Sequence, residues 1–239
     1  MKIMSYNVQT GTPTPTRAAN MINNILDYDA DIVGAQEVNT SWLYVFKGVG
    51  LFKEYAMVGK PRERENDLSN GNEYSCILYK KDMFNVLYSD TLWLSETPEK
   101  KSKLDGTAYT RIMTYAVFER KSDKKRFLHV NTHVDYNGEV NAKQVEIILE
   151  QVKKLGFELP TFYTGDFNMF ATAPGYALMT KENDDSRLVA KEKTEASRHN
   201  YIIDFVFVSK TDCEVEKYEM IGKEGSDHDP LYVELELKA

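Results

Sequence analysis

The last stretch of the chain alternates cleanly. Leu231, Val233, Leu235 and Leu237 are separated by Tyr232, Glu234 and Glu236. A period of two marks a strand with one buried face. The same reading predicts strands near 2–8, 31–36, 54–59, 74–80, 84–94, 109–119, 126–133, 160–165, 201–208, 214–220 and 230–237. The run at 201–208 is apolar on both faces, as in a strand covered on both sides. Helical spacing predicts helices near 15–28, 40–48, 139–155 and 174–181. In the third of these Val145, Ile148, Val152 and Leu155 share one face, and Gly156 ends it. Thr14 and Pro15 open the first as N-cap and first helical residue.

Segments 60–73, 95–108 and roughly 181–199 show no such period and read as long loops, the third highly charged. Long loops in a compact domain are often functional. There is no repeat and no obvious linker, and the 239 residues, compatible by length with one large domain or two small ones, are taken as a single domain over 1–239. Many strands with few helices between them predict an α+β fold of packed sheets with helices outside. Composition then narrows the function. The net charge of −7, with Lys and Arg scattered, gives no basic face for long duplex nucleic acid. Cys76 and Cys213 form no C-x-x-C, which argues against a disulfide framework or a zinc knuckle. No apolar run reaches 18 residues, so no transmembrane helix is expected. The start enters a strand with no secretory leader, and the expected location is cytoplasmic.

The candidate chemistry sits at strand ends. "SYNV" ends a strand with Asn7, and "VGAQEV" ends another with Gln36 and Glu37. "FLHVNTH" places Phe127, His129, Asn131 and His133 on one face, with His133 last; His129 lies deeper, in no motif. "TFYTGDFN" ends in Asp166 and Asn168, "YIIDFVFV" holds Asp204 among apolar neighbours, and "SDHDP" brings Asp227, His228 and Asp229 before the final strand. Each has a plain explanation as a turn former, a helix-start carboxylate or a core histidine. Asp204 is the hardest to explain so, because a lone buried carboxylate needs a partner. Together they put hard oxygens of Asn7, Glu37, Asp166, Asn168 and Asp227 where α/β folds build sites. That donor set suits Mg²⁺ or Mn²⁺, leaving His133 and His228 as acid, base or phosphate contacts.

In this order "SYNV", "QEV", "NTHVD", "TGDFN", "IIDFVFVS" and "SDHDPLYVEL" resemble the endonuclease/exonuclease/phosphatase superfamily over almost the whole chain. "TLWLSETPE" and "GDFNMFATAPGYALM" look most like its bacterial, deadenylase-like branch, with Met169 and Phe170 where small polar residues are more usual. The resemblance implies a deoxyribonuclease-I-like, four-layer sandwich of two mainly antiparallel sheets. It also implies Mg²⁺- or Mn²⁺-assisted phosphoester hydrolysis. Metal ligands carried over are Asn7, Glu37 and Asp227. His133, Asp166, Asn168, Asp204, His228 and Arg111 are carried over as catalytic, with Asp204 orienting His228 and Asp166 acting on the attacking water.

The expected substrate is a phosphoester, nucleic acid or nucleotide among them, cleaved by a phosphodiesterase or nuclease. No protein partner is evident. A phosphomonoesterase or a lipid-head-group phosphodiesterase of the same fold is the alternative within the class. A non-catalytic binding module is the alternative outside it, and would be expected to lack ligands that are all present here.

Overall fold

The computed structural model describes residues 1–64 and 67–238, so the loop expected at 60–73 lies partly outside the described residues. One sheet runs, in spatial order, through Glu192–Glu195 (β10), Cys213–Met220 (β12), Leu231–Leu237 (β13), Lys2–Asn7 (β1), Ile32–Val38 (β2), Tyr74–Lys80 (β4) and Tyr55–Val58 (β3). The other runs through Phe84–Trp93 (β5), Ile112–Arg120 (β6), Arg126–His133 (β7), Thr161–Asp166 (β8), Asp204–Ser209 (β11) and Asn183–Asp185 (β9). The pairs β1–β2, β7–β8 and β10–β12 are parallel, and the other ladders are antiparallel. Pro15–Asp27 (α1) and Thr40–Gly48 (α2) cover the first sheet, while Gly138–Leu155 (α3) and Pro174–Glu182 (α4) cover the second. Thr14 caps α1 as expected, accepting from the Arg17 amide, and Gly156 ends α3 at φ +66°. Among the described residues no helix is long and apolar enough to cross a membrane.

Alternation along the strands sorts three cores. Met4, Tyr6, Val33 and Ala35 face α1 and α2; Leu128, Val130, Tyr163, Phe205 and Phe207 face α3 and α4. Ile3, Ile32, Phe127, Phe162, Val206 and Val208 meet between the sheets. This makes the four layers. The layer between the sheets changes character along its length. One end is apolar, with Phe118, Phe127 and Phe162 in ring contact. Losing one such ring costs about 3–5 kcal/mol, so cohesion of the sandwich comes from this end. Toward the other end the same inward positions become Ser5, Asn7, Gln36, His129, Asn131, Thr164, Asp166 and Asp204, all buried. The sheets approach so closely there that a Cβ on Gly34 would lie 1.9 Å from Thr164 Oγ1.

Three sequence expectations change. Segment 181–199 is not all loop: it holds β9, β10 and a short helix, Ser186–Val189. These are edge pieces of three or four residues, and the charged sequences of β9 and β10 carry no apolar period for a reading to find. The strand expected at 109–119 starts at Ile112, because its partner β5 ends at Trp93. Asp204 stands at the start of its strand and not in the middle, where the partner β8 also ends (Asp204 opposite Asp166).

His129 is fully buried, its Nε2 2.8 Å from Thr164 Oγ1. Burial holds its imidazole down to about 3, against an ordinary value of 6.5. Below pH 6.5 the unfolded chain therefore takes up a proton that the folded chain refuses. Stability falls with pH there by about 1.4 kcal/mol per unit, and the loss ends near the folded value. His129→Gln keeps a partner for Thr164 and removes the titration. In urea unfolding the stability gap between wild type and variant should narrow by about 2 kcal/mol from pH 7 to pH 5. A gap that does not change with pH would overturn this account.

Candidate active site

Strand register assembles the site. Parallel pairing of β7 with β8 sets His133 opposite Asp166, and antiparallel pairing of β11 with β8 sets Asp204 opposite the same residue. Asn7 ends β1 beside Gln36 of β2. Glu37 reaches the site through a bulge. Regular alternation would send it toward α1 and α2 with Val33 and Ala35, but the pairing of β2 with β4 slips between Ala35 and Val38, and Val38 takes that place. Glu37 occupies the extra position at φ +60°, a left-handed conformation uncommon for a residue with a side chain.

The polar contacts converge on Asp166. Its Oδ2 accepts from Asn7 Nδ2 at 3.0 Å and lies 3.3 Å from His133 Nε2 and 3.7 Å from His228 Nε2. Its Oδ1 accepts from the Asn168 amide at 2.9 Å. Asn7 Nδ2 also donates to Glu37 Oε1 at 3.0 Å, while Glu37 Oε2 accepts from the Thr10 amide at 2.7 Å. Asn168, at φ +45°, turns its Nδ2 to His133 Nε2 (3.1 Å) and to the Val134 carbonyl (3.0 Å). His228 Nδ1 lies 2.7 Å from Asp204 Oδ2.

These contacts sort the protons. Burial, then the neighbouring Asp204 charge, raises the Asp166 carboxyl above its ordinary range, against His228 and Asn7. Burial alone would lower His228, but the attraction and hydrogen bond of Asp204, with Asp166 and Asp227, lift it to about 10. At neutral pH His228 is therefore an imidazolium whose Nδ1–H donates to Asp204. His133 goes the other way. Burial, with the positive charges of Arg111, His228 and Arg62, pushes it well below its ordinary value. It is a neutral imidazole whose Nε2 accepts from Asn168.

Among the described residues two groups have metal-ligand spacing. One ligand atom each from Glu37, His133 and Asp166 lies within 4.8 Å of the others, and so do atoms of Asp166, Asp204 and His228. The first group offers two carboxylates and one imidazole, with Asn7 Nδ2 bridging the carboxylates, and its hard carboxylate oxygens fit a small divalent cation. Of the residues picked from sequence, Asn7, Glu37, His133, Asp166, Asn168, Asp204 and His228 meet at one point. Arg111 lies buried in the wall of the same cavity, about 490 Å³ in volume. Asp227 belongs to neither group: it is exposed, with its Oδ1 3.2 Å from the Ser226 hydroxyl.

The buried acid of that loop is its neighbour Asp229. Its Oδ1 pairs with Arg198 Nε at 2.5 Å, and its Oδ2 accepts from the Arg198 amide (2.7 Å) and the Ser197 hydroxyl (2.9 Å). Arg198 Nη2 also donates to the carbonyls of Ser226 (3.0 Å) and His228 (3.1 Å). Ser226 Oγ donates to the Asn7 carbonyl at 2.6 Å, so the loop bearing His228 is tied to β1 on one side and to Arg198 on the other. Sequence reading missed Arg198, because it lies in a charged segment with no motif. It also missed Arg62, Glu73 and Tyr109 in the cavity wall; their only signal is that they stand in or beside the long loops.

The structure resembles an endonuclease/exonuclease/phosphatase from Bacteroides vulgatus at 29% identity, over 99% of this chain and 98% of that one, with a TM-score of 0.87. A mannosyl-6-phosphatase of Bacteroides thetaiotaomicron is 26% identical over 99% and 100% of the two chains, with a TM-score of 0.88. The human Nocturnin catalytic domain, solved with bound sulfate, is 17% identical over 100% and 94%, with a TM-score of 0.80, a likeness of fold alone. No curated protein matches the chain. The sequence profile of the Endonuclease/Exonuclease/phosphatase family matches residues 4–228, nearly the whole length. The chain is a member of the Endonuclease/Exonuclease/phosphatase family.

Proposed function

We propose that this protein is a divalent-metal-dependent phosphoester hydrolase that cleaves a small soluble substrate by attack of water. The observation that carries the reading is the sharing of Asp166 between two side-chain groups, one set for a cation and one built on the Asp204–His228 pair. Glu37, with Asn7 and Asp166 beside it, would hold Mg²⁺ or Mn²⁺. The ion would supply positive charge to the phosphate oxygens.

The residues of the chain do the rest. Asp166, whose carboxyl is raised by burial, orients the water and takes its proton. The water oxygen bonds to phosphorus, the bond to the alcohol oxygen breaks on the opposite side, and the alcohol leaves with a proton from solvent. The His228 imidazolium stabilises the charge that grows on the phosphoryl oxygens, and Asn168 positions Asp166 and His133 through its bonds to both. Asp204 fixes the His228 ring and its charge. Asp227 has no part in this assignment. A long nucleic-acid substrate draws no support from the net charge of −7, and the likeness to a mannosyl-6-phosphatase favours a small one.

Chelation should abolish hydrolysis of p-nitrophenyl esters, and Mg²⁺ or Mn²⁺ should restore it and raise Tm. Glu37→Ala and His228→Ala should each lower kcat at least about 10³-fold while circular dichroism stays that of the wild type. Near-wild-type turnover in either would refute the assignment. Asp204→Asn keeps the size of the side chain but not its charge, and should cost about 10²–10⁴-fold in kcat. If instead it changes only KM, Asp204 does not act through His228.

A further inference from the structure

The cavity has a second wall, built by the two long loops. Arg62, Gly71 and Glu73 come from one loop; Tyr109 and Arg111 follow the other. Arg62 and Arg111 are only 6% and 5% exposed, yet both line the cavity that holds Glu37, His133 and Asp166. The Tyr109 ring covers both guanidiniums, 4.9 Å from Arg62 and 5.7 Å from Arg111, and is itself 53% exposed. Arg62 is anchored by Nε to the Gly71 carbonyl (3.0 Å) and by Nη1 and Nη2 to Glu73 (2.9 and 3.2 Å). Those contacts use three of about five N–H donors. Arg111 is less satisfied. Its Nε is buried with no hydrogen-bond partner, and the nearest carboxylate oxygen, Asp135 Oδ2, is 3.9 Å away and also lacks one.

Two guanidiniums placed together out of water, one with an orphaned donor, form an anion receptor. We propose that Arg62 and Arg111, covered by Tyr109, receive the terminal oxygens of a phosphomonoester dianion, so that the substrate class is a small phosphomonoester and not a phosphodiester. This rests on the hydrolase reading and deepens it. A monoester presents three non-bridging oxygens, enough to face the Glu37 end of the cavity and the guanidinium end together. In a diester one of those oxygens carries carbon. It loses a charge and sets an alkyl group against buried donors, which leaves them unpaired and rejects the ligand.

The test pairs p-nitrophenyl phosphate with methyl p-nitrophenyl phosphate, which share a leaving group and differ by one charge and one methyl. Wild type should favour the monoester in kcat/KM by at least about 100-fold. Arg62→Gln and Tyr109→Ala should each lower monoester kcat/KM at least about tenfold and change the diester less than about threefold. If Arg62→Gln fails to fold because Glu73 is left unpaired, the double variant R62Q/E73Q replaces it. A readout without turnover is calorimetric binding of inorganic phosphate in the presence of Mg²⁺. It should weaken about tenfold in the arginine variant while Mg²⁺ binding stays unchanged. A wild type that prefers the diester, or variants that lower both substrates equally, would overturn the receptor and leave the hydrolase standing. If neither ester is cleaved with any metal, the hydrolase reading fails. The phosphate titration then still decides, since unchanged affinity in R62Q overturns the receptor as well.

Discussion

The architecture depends on one side chain that crosses between the sheets. Asn131 stands on β7 of the second sheet, yet its Nδ2 donates to the carbonyls of Ala35 (3.0 Å) and Cys76 (2.8 Å) in the first. Those carbonyls lie at the last regular pair before the bulge of β2. Its Oδ1 accepts from Gln36 Nε2 (2.7 Å) and Thr164 Oγ1 (3.0 Å). One amide thus satisfies backbone that the bulge disturbs and ties together the inward residues of β2 and β8. The contact requires the sheets to close in, which is why Gly34 has no room for a side chain. Every hydrogen-bonding atom of the Asn131 amide is partnered, and the network around it fixes the register that carries Glu37 and Asp166.

Much of the frame was legible because strands and helices buried on a regular face leave a period in the sequence. Phe127, His129, Asn131 and His133 were readable as one face, and that face is the layer between the sheets. The sequence could not say that the layer turns from rings to amides and carboxylates along its length, since alternation does not record what lies opposite. Asp204 was legible as a buried acid in need of a partner, and His228 lies 2.7 Å from it. Asp227 and Asp229 were indistinguishable as letters; only Arg198 decides which one is buried. Arg62 and Tyr109 left no signal, because their role comes from loop geometry and not from a period.

The two site histidines show how placement alone separates one residue type into two functions. Both are largely out of water. Burial, with the charges of Arg111, His228 and Arg62, keeps His133 neutral even beside Asp166, while three carboxylates outweigh burial at His228 and hold its proton. An acceptor and a cation thus flank one carboxylate, Asp166, whose own charge is disfavoured by burial. The family fold supplies the strand ends, and the charges facing each end assign the chemistry.

The tether of the His228 loop reaches an edge of the sandwich. Arg198 lies three residues beyond β10, an edge strand whose residues are all exposed and which is paired on one side only, to β12. Such edges open locally at free energies far below that of global unfolding. Fraying of β10 would loosen the backbone that leads to Arg198, whose guanidinium spans Asp229, Ser226 and His228. The loop would then be held only by its Ser226 tie to β1, and the imidazole by Asp204, while both sheets remain intact. Order at the candidate site and the folded state are therefore separate thermodynamic quantities in this protein, linked through four residues at the rim.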